Sequence, residues 1–176
     1  LNKIISKIQK IIEMTENKNK KSHIYFWSVN DKEYSCFSQW YPCEFKEDSV
    51  WFNCSEQYMM ANKAILFGDN DIYDKIMKTT SPKIMKSLGK KVKNFNPKIW
   101  NKEKYDIVLC GNMLKFGYDI EMLEILRNTG NSIIAEASPY DNIWGIGMKK
   151  QKGLTEKDWK GENLLGKILM EVRESI

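Results

Sequence analysis

Histidine is nearly missing: His23 is the only one among 176 residues. A Ser/His or Cys/His nucleophile system would have to run through it. It follows the polar, lysine-rich stretch 15–22, a poor setting for a rigid general base. Cysteine is scarce as well. Cys36, Cys43, Cys54 and Cys110 show no CxxC spacing, so a zinc site lacks both the paired thiols and the imidazoles that it needs. Nothing resembles a signal peptide, and the four cysteines read as reduced thiols of a cytoplasmic protein. No hydrophobic run approaches the ~20 residues of a membrane span, so no membrane partner is expected. There is no Walker loop, no GxGxxG and no metal motif, and no cofactor is expected.

What the chain does have is aromatic mass and a modest positive charge. Six Trp, eight Tyr and seven Phe are more than a core of this size requires. Lys and Arg exceed Asp and Glu by 28 − 23 = 5, a balance that suits a phosphate-bearing partner without demanding one. The length points to one domain with a real core, expected as a monomer.

The pattern divides the chain at about residue 22. Ile4, Ile5, Ile8, Ile11 and Ile12 recur at helical spacing, which predicts an amphipathic helix over 2–14, and 15–22 reads as a linker. Residues 23–176 form the main domain. Strands are predicted over 24–29, 49–53 and 132–138, and an aromatic irregular segment over 34–45. Helices are predicted over 55–67, 70–79, 82–91, 97–116, 119–128 and through the final stretch from 161. Ser81-Pro82 and Asn96-Pro97 open two of them, and Gly130 closes another. The fold class is α+β: a predominantly helical single domain with a small β-sheet.

WFNCSEQYMMANKA, residues 51–64, holds the sharpest chemical signal. Glu56 and Lys63 stand seven residues apart in an otherwise apolar segment. Seven residues is about two helical turns, a rise of roughly 10.5 Å, and puts both on one face. Met60 and Phe67 share that face; Tyr58, Ala61 and Ile65 fall opposite. A helix apolar nearly all round is buried, and a solvated ion pair would use a spacing of three or four. Two buried charges facing a common space suggest a pocket wall. A competing reading makes Glu56 a helix-dipole charge, capped by Ser55 or Asn53, and lets Lys63 snorkel to water. Spacing alone does not choose between them.

Other stretches are weaker. DNIWGIG, 141–147, sets Asp141 and Trp144 beside two glycines, Gly145 and Gly147, which suits a stacked base and close backbone approach. In GENLLGKILMEVR, 161–173, Asn163 sits at an expected N-cap and Gly166 implies close packing or close ligand approach. FSQWYPCEF, 37–45, is a polar–aromatic loop. Each has an ordinary structural reading beside it.

Together and in this order, FSQWYPCEF, FNCSEQYMMANKA, LGKKVKNFNPKIW, GNMLKF, ASPYDNIWGIG and the closing NLLGKILMEVR resemble the NADAR family, also called YbiA-like, over about Ile24 to Ile176. The resemblance implies a YbiA-like fold and a metal-free cytosolic enzyme that cleaves N-glycosidic bonds. Two activities go with the family. One removes ADP-ribose from guanine in nucleic acid, reversing the modification made by an ADP-ribosyltransferase toxin, which would be a functional partner. The other hydrolyses small ribosylamino-pyrimidine phosphates of riboflavin synthesis. A module that binds ADP-ribose or NAD without cleaving it is a third reading. ADP-ribosylated guanine in DNA is the first choice.

By the resemblance, Glu56, Lys63 and Asp141 are the expected catalytic residues. Trp100, Trp144, Gly145, Gly147, Ser38, Gln39, Tyr58, Asn112 and Asn163 are the expected substrate contacts. The sequence departs from the family at Cys110, where Arg is frequent, and at Tyr118-Asp119, where Gln-Asn is common. The residue types suit the chemistry. A neutral amine traps an electron-poor C1 as a Schiff base, burial lowers the pKa of Lys63 to make that amine available, and Glu56 serves as general acid/base on a ribose hydroxyl or water.

Overall fold

In the computed structural model, residues 22–176 are described; the helix predicted over 2–14 lies outside them. The order of elements is β1 (His23–Phe26), a 3-10 turn (Ser35–Phe37), β2 (Phe45–Glu47), β3 (Val50–Phe52), α1 (Ser55–Leu66), α2 (Asn70–Met77), α3 (Pro82–Gly89), α4 (Pro97–Tyr118), α5 (Ile120–Asn128), β4 (Ile133–Glu136), a second 3-10 turn (Glu156–Asp158) and α6 (Leu164–Ser175). The α+β class, dominated by helices, is as expected.

Local chemistry sets most helix starts. Ser81 Oγ accepts from Ile84 N–H and Pro82 fills the first turn of α3. Asn96 Oδ1 accepts from the N–H groups of Lys98 and Ile99 ahead of α4. Asp119 Oδ1 does the same for α5. α1 starts at Ser55 as expected, but without the cap that the competing reading offered. Cys54 is its N-cap and makes no side-chain cap bond, so neither Ser55 nor Asn53 caps the helix. Tertiary contacts replace the cap: Glu56 N–H donates to the Gln39 carbonyl at 2.9 Å, and Gln57 Oε1 accepts from Asn53 N–H at 2.9 Å.

Two small sheets stand where one was expected. β1 and β4 pair in parallel, His23 opposite Ile133 and Phe26 opposite Glu136; β2 and β3 pair antiparallel, Phe45 opposite Phe52. β2 falls at the end of and just beyond the segment read as irregular. α1 packs against α2, α3 and α4, and α6 packs against α4 and β4. Seven of the first seven residues of α1, Ser55 to Ala61, are buried, yet Ile65 is 56% exposed, so the helix is not enclosed all round. The core runs through Phe37, Phe116, Ile134, Ile168 and Leu169. No described helix is long and apolar enough to cross a membrane.

Candidate active site

A cavity of about 660 Å³ opens between the start of α1, α3, the end of β4 and the loop after it. That volume lies within the range of small-molecule and cofactor sites. Its lining includes Glu56, Lys63, Trp100, Asp141 and Trp144, with Ser38 and Gln39 from the 34–45 segment. Seven of the expected site residues thus share one space.

Glu56 sits at a buried position, 2% exposed. Its Oε2 accepts from the Trp40 indole at 3.2 Å, while Oε1 is closed to solvent and has no hydrogen-bond partner. Burial pushes its carboxyl up to about 7, against the opposing pull of Lys86 and the Trp40 bond. Lys63, two turns further along α1, is half-buried. Its ammonium lies 4.2 Å from the centre of the Phe95 ring and 5.3 Å from that of Trp100. Burial lowers its pKa, as the sequence suggested, but the aromatic neighbours are Phe95 and Trp100 rather than Phe67. A lysine partly shut from water reaches its neutral form more easily, while the ring faces favour the ammonium.

The loop that carries Asp141 is built by that residue. Asp141 Oδ1 accepts from Ile143 N–H at 3.0 Å and Trp144 N–H at 2.8 Å, and Oδ2 lies 3.9 Å from Lys86 Nζ. Its first role is therefore to set the turn that presents Trp144. Gly145 and Gly147 do not line the cavity. Gly145 lies so close to the strand that an added Cβ would sit 2.8 Å from the Glu136 carbonyl, and Gly147 N–H closes the loop onto the Asp141 carbonyl at 3.1 Å. The glycines allow tight packing of the loop.

Two further expected contacts act from behind the wall, and a third does not. Asn112 is fully buried; its Oδ1 accepts from Gln39 Nε2 at 3.1 Å. Asn163 does not cap α6 with its side chain. It has φ 53°, accepts from Glu136 N–H and donates to the Ile134 carbonyl. Tyr58 points elsewhere: its hydroxyl bonds Glu47 at 3.0 Å and Cys110 at 3.3 Å. This corrects Tyr58 as a cavity contact and agrees with its place on the far face of α1. The same geometry puts Cys110 away from the cavity, while Tyr118 meets Trp51 edge-on and Asp119 caps α5. Neither departure from the family pattern lines the cavity.

Other lining residues carried little signal in sequence. Behind them, Lys115 is completely buried and donates to the carbonyl of the lining residue Ser38 at 3.1 Å. Lys86 reaches in from α3, and Glu136 from β4. At the mouth, Tyr140 is 87% exposed and its ring lies 6.2 Å from that of Trp27, which Lys149 overlies at 6.0 Å. Six buried side-chain atoms lack a hydrogen-bond partner among the described residues, and three belong to the lining: Gln39 Oε1, Glu56 Oε1 and Glu136 Oε2. Buried polar atoms are usually paired, and these three belong to residues that line one cavity. His23 bonds Glu156 at 2.8 Å and does not line the cavity. No group of three or more His, Cys, Asp and Glu that suits a metal occurs among the described residues.

Comparison with known proteins shows the family and the fold. The NADAR domain matches residues 25–176. An N-glycosidase of Acanthamoeba polyphaga mimivirus is 45% identical over 161 residues, covering 86% of this chain and 95% of that protein. An N-glycosidase of Nostoc punctiforme is 31% identical over 153 residues, covering 87% and 92%. The solution structure of Escherichia coli YbiA superposes with a TM-score of 0.73 at 27% identity, over 88% of this chain and 84% of that one. The chain belongs to the NADAR family, and its fold is YbiA-like.

Proposed function

We propose that this NADAR chain is an N-glycosidase that removes ADP-ribose from guanine in DNA. The observation that carries the reading is the pairing, in one cavity, of a half-buried lysine with a buried carboxyl that has a free oxygen. The neutral Lys63 amine attacks C1 of the ribose and splits one hard step into two. Glu56 moves the proton at a sugar oxygen or at water. Trp144 and Trp100 offer stacking faces for a base. Lys86 is the cation placed to meet a diphosphate, since its Asp141 contact is long and half-exposed.

The choice of nucleic acid over a small phosphorylated sugar is supported by the mouth. Exposed Trp27 and Tyr140, with Lys149 beside them, extend the aromatic and basic surface beyond the space a single ribose needs. The overall charge of +5 is modest, so DNA affinity is expected to be salt-sensitive and mainly local to the modified base.

The test is a side-by-side kcat/KM on a guanine-ADP-ribosylated oligonucleotide and on a ribosylamino-pyrimidine phosphate. Release of ADP-ribose from the first, with the second cleaved more slowly, is expected. Cleavage of the pyrimidine phosphate alone would move the function to that smaller substrate. Binding of ADP-ribose without turnover of either would make the chain a recognition module.

A further inference from the structure

Glu136 ends β4, and its backbone is held from two sides. Its N–H donates to Asn163 Oδ1 at 3.0 Å, and its carbonyl accepts from Ile146 N–H at 2.8 Å. The side chain lines the cavity, and Oε2 is closed to solvent with no hydrogen-bond partner. A carboxyl so placed is costly unless it is neutral or finds a partner in the bound ligand. A rigid strand end that holds an unpaired carboxyl oxygen at a cavity wall is a poor structural element and a good chemical one.

We infer that Glu136 is the acid that protonates the leaving base nitrogen, and that Glu56 and Glu136 divide the proton transfers of the site between them. The inference rests on N-glycosidic cleavage as the reaction. As Lys63 Nζ attacks C1, the C1–N bond breaks and its electron pair goes to the nitrogen, which takes the Glu136 proton. The sugar ring then opens: the C1–O4 bond breaks, and a proton from the lysine nitrogen reaches O4 by way of Glu56. The product of this step is the protonated Schiff base. Water adds to its carbon and returns a proton to Glu136. The adduct collapses with its hydroxyl proton passing to the lysine nitrogen, freeing the amine and the sugar aldehyde, which recloses. One water is consumed, and both carboxyls end as they began.

The electrostatics support this division. The charged groups that act on Glu136 are Asp141 from the loop, Lys86 from α3 and Glu56 from α1; Asn163 from the start of α6 is neutral. Burial first, then Asp141, push the Glu136 carboxyl up to about 8, and burial pushes Glu56 up to about 7. The charge of Glu56 is among the causes that raise Glu136, so an ionised Glu56 helps to keep the proton on Glu136. Environments that separate two titratable groups in this way assign acid and base.

The experiment compares wild type, Glu136→Gln and Glu136→Asp on two substrates. One is the guanine-ADP-ribosylated oligonucleotide. The other is ADP-ribose joined through C1 to 4-nitrophenolate, a leaving group that needs no proton. Glu136→Gln is expected to slow the first by about 10²–10⁴, to slow the second less than about tenfold, and to lose the alkaline fall of the pH–rate profile. Glu136→Asp keeps the acid, so it retains that fall with a smaller loss, which covers failure of the Gln variant to fold. Equal losses on both substrates with the profile unchanged would overturn the assignment and leave the N-glycosidase reading intact. No cleavage of either substrate by wild type would take down both.

Discussion

Asn163 bridges its own helix start to the strand that carries Glu136: its Oδ1 accepts the Glu136 N–H at 3.0 Å and its Nδ2 donates to the Ile134 carbonyl at 2.9 Å. The residue takes φ 53°, in the left-handed region that Asn tolerates better than most side chains. Its amide therefore serves β4 instead of capping α6. Asn163→Ala leaves two main-chain groups of β4 without these partners and puts Ala in a strained conformation. The expected loss is about 2–5 kcal/mol in urea unfolding. A loss under about 0.5 kcal/mol would mean that this bridge does not hold the strand.

For Glu56, the Gln variant keeps shape and removes the proton chemistry. Substrate binding is expected to survive while kcat falls by about 10²–10⁴. Equilibrium binding and single-turnover rates separate the two. Unchanged turnover with a large drop in Tm would return Glu56 to the role of a helix charge.

The contribution of Glu56 and Glu136 to stability should fall as pH rises. Glu56 and Glu136 both have folded pKa values above the usual carboxylate range, about 7 and about 8, so the folded state binds more protons than the unfolded one between about pH 4.5 and 8. The contribution from these groups is fully present below the unfolded pKa and is lost as pH rises through the folded values. For Glu56 the rise from 4.5 to about 7 corresponds to on the order of 3 kcal/mol. Glu56→Gln should flatten the dependence and raise Tm relative to wild type on the alkaline side. A variant whose Tm follows wild type across that range contradicts the assignment.

Trp144 is presented to the cavity by the turn that Asp141 builds. An aromatic–base stack is worth roughly 1–3 kcal/mol. Trp144→Ala is therefore expected to weaken binding of the modified oligonucleotide about 5- to 150-fold. Titration calorimetry reads this directly, and an unchanged Kd would exclude Trp144 as the stacking residue.

The parts of the site that lay within one helix were legible in the sequence. Glu56 and Lys63 share a face because seven residues make two turns, and Tyr58 falls on the other side for the same reason. Glu136 was not legible. A single Glu at the end of the β-branched run SIIAEAS looks like a solvated strand end; only the parallel pairing of β4 with β1 and the approach of the 141–147 loop bring it to α1. The helix start at residue 55 was legible, but the Ser55 or Asn53 cap of the competing reading does not form: Glu56 N–H donates instead to the carbonyl of Gln39, distant in sequence. β2 was hidden because the Pro42 and aromatic residues before it mask a three-residue strand whose partner lies across a tight turn at Asp48.

The central claim is that Lys63 forms the covalent intermediate. Wild type is incubated with the guanine-ADP-ribosylated oligonucleotide and borohydride, and the protein is digested and mapped by mass. One reduced ADP-ribosyl adduct is expected, on the peptide that contains Lys63, with no turnover by Lys63→Ala and its Tm near wild type. Turnover by wild type with no adduct, together with wild-type-like turnover by Lys63→Ala, would remove Lys63 from the mechanism.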